Sequence, residues 1–283
     1  MTETYTPSQP TWCAGCGHYG VQGALTGALS KLGVPAHETM LLAGIGCSGS
    51  VQNNIEAYGY HAMHGRVLPT AVGAAVANPD LTVIAAGGDG DGYAIGAGHL
   101  VHALKRNASV LYILMNNGTY GLTKGQDSPT AEGPLEAPID GILLGLAISG
   151  STFLARASTR FATQLDDLMV QALEHVRAKR GFAFLEVLSP CVTYNDTYPD
   201  WDARLFNLED VPEFDCTDRS SAFAAVQRLK DRNRIPAGLC FQAEWPAFEE
   251  RWIEQGLKPA DLARHDPAHH GDRFRDLMSS YLV

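Results

Sequence analysis

Two short stretches decide the reading of this chain: GGDGDG at residues 87–92 and MNN at residues 115–117. Each closes a continuous apolar run, LTVIAAGG (81–88) and SVLYILMNN (109–117). Runs that are apolar at every position, not at alternate ones, fit strands buried on both faces of a parallel sheet. Between them AIGAGHLVHALKRN (94–107) has helical period and a basic last turn, which suits the negative end of a helix dipole. Twenty-five residues stand between Gly90 and Asn116, enough for one crossover helix. In an open α/β sheet, ligands bind at the carboxyl ends of such strands.

The same alternation continues outward. MLLAGIG (40–46) reads as a buried strand that carries Cys47 at its end, and PTAVGAAVAN (69–78) as a small-residue helix. VQGALTGALSKLG (21–33) and LDDLMVQALEHVRAKRG (165–181) have helical spacing with a Gly stop, and FAFLEVLSPC (182–191) reads as a further strand. Residues 118–138 form a Gly- and Pro-rich loop, and residues 1–12, with Pro7 and Pro10, an extended polar arm. The expected fold is α/β in three layers, a mostly parallel sheet with helices on both faces. Residues 1–200 are expected to form one domain that includes the arm. Residues 201–283 are less periodic and are expected to be a C-terminal extension that contacts a partner.

With 283 residues, 45% hydrophobic and 18% charged, the chain can bury a large core. Its net charge of −10 opposes a nucleic-acid surface, which wants a basic face. The start, MTETYTPSQPTW, lacks the basic and apolar segments of a signal peptide, and no stretch approaches the ~18 consecutive apolar residues of a membrane helix. The expectation is a cytoplasmic protein that engages neither membrane nor nucleic acid.

Magnesium takes hard oxygen ligands in a near-octahedral shell and usually shares them with phosphate. Asp89 can offer a carboxylate oxygen, Asn117 an amide oxygen from the neighbouring strand end, and Thr119 a backbone carbonyl. The flanking glycines let backbone N–H groups approach phosphate oxygens. A calcium loop of the EF-hand kind is excluded, because the Asp spacing is wrong and no Glu stands at its twelfth position.

The six cysteines include one close pair, Cys13 and Cys16, and two that end apolar runs, Cys47 in GIGCSGS and Cys191 in LSPCVTYN. Four such thiolates can hold a 4Fe–4S cluster or a tetrahedral zinc, and the close pair alone could be a redox dithiol. Cys216 and Cys240 read as ordinary free cysteines.

In order along the chain, WCAGCGHYGV, GIGCSGS, HGR (64–66), GDGDG, NNGTYGLTKGQDSPT and SPCVTYN resemble the β subunits of 2-oxoacid:ferredoxin oxidoreductases, over roughly residues 10–200. The resemblance implies the diphosphate-binding half of a thiamine diphosphate site, with Asp89, Asn117 and Thr119 as Mg²⁺ ligands. It implies a 4Fe–4S cluster on Cys13, Cys16, Cys47 and Cys191, which makes the N-terminal segment a cluster-binding arm. Cofactor contacts are expected from Gly46, Cys47, Ser48, His64, Gly65, Gly88, Asp89, Gly90, Asp91, Asn117, Thr119, Gly121, Leu122 and Thr123. His64 and Lys124 are expected at the reacting groups, Lys124 through the substrate carboxylate or a coenzyme A phosphate, and Arg66 as an anion clamp or a structural ion pair. His18, His99 and His102 are assigned no role. The implied reaction is coenzyme A-dependent oxidative decarboxylation of a 2-oxoacid, 2-oxoglutarate ahead of pyruvate, with electrons delivered to ferredoxin. The glutamate that activates the aminopyrimidine is missing from any recognisable motif here, so an α subunit is expected to supply it in an αβ or α2β2 assembly. Two alternatives stand: a subunit of a non-redox thiamine-dependent decarboxylase or ligase, which needs no four-cysteine set, and a zinc-stabilised structural subunit.

Overall fold

A computed structural model describes residues 9–256, with 275 and 278–280. Residues 1–8 of the expected arm and residues 257–274, 276–277 and 281–283 of the expected extension lie outside the described residues. In chain order the elements are α1 (His18–Lys31), β1 (Thr39–Ala43), β2 (Tyr58–His61), α2 (Val67–Ala77), β3 (Thr82–Gly88), α3 (Ala97–Arg106) and β4 (Val110–Asn116). A small hairpin, β5 (Thr119–Tyr120) and β6 (Gln126–Asp127), precedes α4 (Gly141–Ala147), β7 (Phe153–Ser158), α5 (Ala162–Arg177) and β8 (Ala183–Leu188). Then come α6 (Tyr198–Arg204), β9 (Leu205–Asn207), α7 (Arg219–Asp231), β10 (Ile235–Gln242) and α8 (Phe248–Glu254).

Eight strands form one sheet in the order β2-β1-β3-β4-β8-β7-β10-β9, parallel throughout except where β10 runs antiparallel to β7. The apolar runs are continuous because both faces are covered. In β4, Leu111, Ile113 and Met115 enter the core under α1 and α5, while Val110, Tyr112 and Leu114 enter the core under α2, α3, α4 and α7. All six are fully buried, and each large apolar side chain removed from water contributes about 1.5–3 kcal/mol. The expected three-layer α/β architecture is therefore the observed one.

The stretch after residue 200 differs from a simple extension. Up to Gln242 it supplies α7 and two strands of the same sheet, and a β-bulge at Leu239 to Phe241 adjusts β10 against β7. Pro236 and Gly238 inside β10, and the polar outer face of α7, hide these elements from a periodicity reading. The loop at 118–138 likewise contains the β5–β6 hairpin.

Two buried histidines, His18 and His175, make the fold acid-sensitive, since burial lowers each from 6.5 to about 4. His175 of α5 is 1% exposed, packs against Phe153 and has Nε2 2.9 Å from Thr152 Oγ1. Below pH 6.5 the unfolded chain takes up a proton at His175 that the folded chain refuses, so stability falls with pH until about pH 4, by on the order of 3 kcal/mol for this residue. His175→Leu is expected to lessen the fall of melting temperature between pH 6.5 and 4.5, with His18 carrying the remainder. An unchanged slope would place the acid sensitivity in other groups.

Candidate cofactor and cluster site

β3 and β4 are adjacent and parallel, with Gly88 opposite Met115, so Asp89 and Asn117 leave the sheet side by side. Asp89 is 1% exposed, and its carboxylate is held from three directions. Its Oδ2 accepts from Thr130 Oγ1 at 2.6 Å and from Ser128 Oγ, and the Asn117 backbone N–H also faces it. Burial raises the Asp89 pKa, and these donors pull against that shift. Asn117 Oδ1 accepts from Thr119 N at 3.1 Å, which folds the loop back over the strand tips. Gly90 permits this closure, since a Cβ there would lie 2.1 Å from Tyr120 Cε1. Asp89, Asn117 and Thr119 thus line one cavity of about 420 Å³.

Ser48, Gly88, Gly90, Gly46 and His64 line the same cavity, and Gly121, Leu122 and Thr123 form part of its rim. The Leu122 side chain there is 82% exposed. Asp91 shares the wall, but its carboxylate serves the surrounding backbone. Oδ1 accepts from Gly65 N at 2.8 Å and Ile45 N at 3.2 Å, and His64 Nδ1 stands 3.1 Å away. Burial raises its pKa. Asp91 therefore fixes the loop after β1 and the HGR turn against each other, and presents His64 to the cavity. Gly65 stands behind that wall at φ +67°, where a Cβ would meet Ile95 Cγ2 at 2.4 Å. Arg66 NH1 donates to the carbonyls of Gly65 and Ile95, both at 3.1 Å. Lys124 occupies the exposed turn of the hairpin loop at φ 63°, outside the cavity lining.

The four motif cysteines are free thiols gathered from three segments. Gly17 N donates to Pro190 O at 3.1 Å, which lays the Cys13–Cys16 turn against the Cys191 loop. Trp12 Nε1 donates to Cys47 O at 2.8 Å, tying that turn to the third segment. The Cys16 thiol is pushed up to about 11, first by burial and then by the charges of Cys47, Cys191 and Cys13. Burial, Cys191 and Cys13 raise Cys47 too. Cys47 also lines the cavity, its Sγ 3.3 Å from where a Cβ on Gly121 would stand. Among the described residues, no three His, Cys, Asp or Glu side chains are close enough to share a single metal ion. A four-iron cluster asks for something else, since its four thiolates bind different irons. The backbone ties that bring the three cysteine segments together fit that wider set. Cys240 stands apart, buried beside Arg156, with its thiol pushed up to about 12.

Residues the motifs did not single out complete the site. His18 lines the cavity, 1% exposed, with Nδ1 3.0 Å from Ser189 Oγ and its ring edge-on to Trp12. Ile45, Met115, Tyr120 and Gln126 add to the lining. Position beside CxxC was the available signal for His18, and the QDSPT run for Ser128 and Thr130.

A parallel sheet whose adjacent strand tips present Asp89 and Asn117 beneath a glycine loop defines a thiamine diphosphate-binding domain. In agreement, residues 39–187 match the family "Thiamine pyrophosphate enzyme, C-terminal TPP binding domain". Residues 191–255 match the family formed by the C-terminal part of the pyruvate ferredoxin oxidoreductase beta chain. The chain is 39% identical to the 2-oxoacid:ferredoxin oxidoreductase subunit beta of a Sulfolobus species, over 87% of each chain. It is also 39% identical to the 2-oxoglutarate oxidoreductase subunit KorB of Mycobacterium tuberculosis, over 65% of this chain and 51% of that one. A solved 2-oxoglutarate:ferredoxin oxidoreductase from Magnetococcus marinus, with 2-oxoglutarate, coenzyme A and succinyl-CoA bound, superposes with a TM-score of 0.82 at 33% identity, covering 93% of this chain and 95% of that one. This chain belongs to the β subunits of the 2-oxoacid:ferredoxin oxidoreductases.

Among the described residues, no helix is long and apolar enough to cross a membrane.

Proposed function

We propose that this chain and an α subunit together catalyse the coenzyme A-dependent oxidative decarboxylation of a 2-oxoacid, passing the electrons through a 4Fe–4S cluster to ferredoxin. The observation that carries the reading is Cys47, whose thiol stands at the meeting point of the cysteine set and the diphosphate cavity. Thiamine diphosphate, when bound, supplies the carbanion chemistry and the reducing power. The chain's residues orient it. Asp89, Asn117 and the Thr119 carbonyl would hold Mg²⁺, and the N–H groups beyond Asp89 would receive the diphosphate. His64, beside Asp91, would meet the reacting groups, and Lys124, on the exposed turn outside the cavity lining, would meet an anionic group of substrate or coenzyme A. The wall shared by Cys47 and the diphosphate loop would keep the electron path short.

The need for a partner has support in the cavity itself. Among the described residues lining it there is no glutamate. The buried glutamates are engaged elsewhere, Glu186 with Arg156 and Glu249 with the Ser109 N–H. An α subunit supplying that carboxylate, in an αβ or α2β2 assembly, completes the site. The 2-oxoglutarate names among the relatives favour that substrate over pyruvate, and six free cysteines suit a reducing cytoplasm.

The test is co-purification with the α subunit without oxygen, assay of iron, sulfide and thiamine, and viologen reduction with 2-oxoglutarate or pyruvate plus coenzyme A. Thiamine without iron would favour a non-redox decarboxylase or ligase, and zinc without thiamine a structural role. Cys191→Ala is expected to lose most of the cluster iron. Full iron retention in that variant would remove Cys191 from the ligand set.

A further inference from the structure

The carboxylate that faces the metal position is not held by the strand tip alone. The loop that closes the cavity returns at QDSPT, and two of its hydroxyls, Ser128 Oγ and Thr130 Oγ1, converge on a single oxygen, Asp89 Oδ2. Thr130 Oγ1 also lies 2.9 Å from Asn116 Oδ1, and its single proton goes to the nearer acceptor, Asp89 Oδ2 at 2.6 Å, so this hydroxyl stands between the tips of β3 and β4. The orientation of Asn116 is fixed from behind. Its Nδ2 donates to Glu186 Oε1 at 3.0 Å, and a carboxylate ion only accepts, so the amide must turn its oxygen towards Thr130 and the Gly118 N–H. Glu186 is 1% exposed and is itself held by Tyr93 OH at 3.0 Å and Arg156 Nε at 2.7 Å. Arg156 then meets Asp140, which Lys230 of α7 meets in turn at 2.8 Å. A continuous polar chain therefore runs from α7 to the diphosphate site.

We propose that Thr130 and Ser128 are positioning residues for the metal ligand Asp89, set in place by the buried Glu186–Asn116 contact. By occupying Oδ2 they leave Oδ1 as the carboxylate oxygen that faces a divalent cation, which makes Asp89 a one-oxygen ligand of fixed aim. Magnesium demands near-ideal octahedral geometry, so a carboxylate free to rotate binds it less well. Partners that orient metal ligands are typically worth roughly 10- to 100-fold in affinity. The inference rests on the reading of this cavity as a magnesium diphosphate site.

The experiment uses the αβ complex freed of magnesium and thiamine diphosphate. Calorimetry measures thiamine diphosphate affinity at several Mg²⁺ concentrations, with melting temperature and cluster absorbance recorded alongside. Thr130→Val is expected to weaken Mg²⁺-dependent cofactor binding by roughly 10- to 100-fold and to raise the Mg²⁺ needed for half-saturation, with cluster absorbance unchanged. Thr130→Ser, which keeps the hydroxyl, is expected to restore most of the loss. Should Thr130→Val fail to fold, Ser128→Ala decides: weaker binding at an unchanged melting temperature supports the assignment, and wild-type affinity overturns it. Wild-type affinity in a folded Thr130→Val complex overturns it equally. A wild-type complex that binds no thiamine diphosphate would instead overturn the reading of the site.

Discussion

Replacing Asp89 with alanine is expected to abolish Mg²⁺-dependent binding of thiamine diphosphate and to reduce turnover to background, while the chain still folds. The affinity loss should exceed about 100-fold, because even the partners of a metal ligand are worth roughly 10- to 100-fold. Folding should survive for two reasons. The Ser128 and Thr130 hydroxyls lose an acceptor, a cost of about 1–3 kcal/mol, but Thr130 keeps Asn116 Oδ1. The substitution also removes a carboxylate whose burial already works against its charged form. A pH corollary follows from that shift. A proton and a magnesium ion compete for Asp89, and its raised pKa brings the competition to higher pH than for an exposed aspartate. Cofactor affinity should therefore fall as the solution is acidified, and Asp89→Asn should bind weakly but with less dependence on pH. Isothermal titration of the αβ complex reads both effects, and wild-type affinity in Asp89→Ala would contradict the assignment.

The largest loss of stability is expected from Arg156→Leu. Arg156 is 5% exposed and lies opposite Glu186 in the β7–β8 register. It reaches Glu186 at 2.7 Å and Asp140 at 3.1 Å, while Asp140 also caps α4 by accepting from the N–H groups of Ile142 and Leu143. Although burial opposes charge on Asp140, Arg156 and Lys230 outweigh it and hold the carboxyl well below the usual range. Removing one member of a buried ion pair leaves an uncompensated charge and costs roughly 3–5 kcal/mol. Replacing both Arg156 and Glu186 by leucine should cost less than the sum of the single changes, since neither charge is then stranded. Urea denaturation of the four species checks this. A midpoint for Arg156→Leu equal to wild type would mean that the pair is solvated, not buried.

The layers of the fold were legible because local pattern and global burial agree. β1, β3, β4 and β8 are apolar at nearly every position, and that is what a strand covered on both faces requires. β7 was not legible, because FLARAS contains Arg156 and Ser158, and only pairing with β8 makes an arginine there tolerable. β10 was hidden by Pro236 and Gly238, whose places in a strand depend on its neighbours β7 and β9.

The site divides in the same way. By itself the sequence determined the chemistry on offer: a carboxylate and an amide at two strand ends, four thiols in three segments, and a glycine loop between them. Those residue types at those spacings restrict what can bind, whatever the packing. Only the tertiary structure decided which atoms face the cavity. Asp91, a neighbour of Asp89 in GDGDG, is turned to Gly65, Ile45 and His64, while Asp89 is aimed by hydroxyls 39 and 41 residues away. Hydrogen bonds between residues so far apart in sequence form only once the sheet brings its strand tips together. No local pattern encodes them, and the aim of a buried carboxylate is set by whichever donors the fold places within reach.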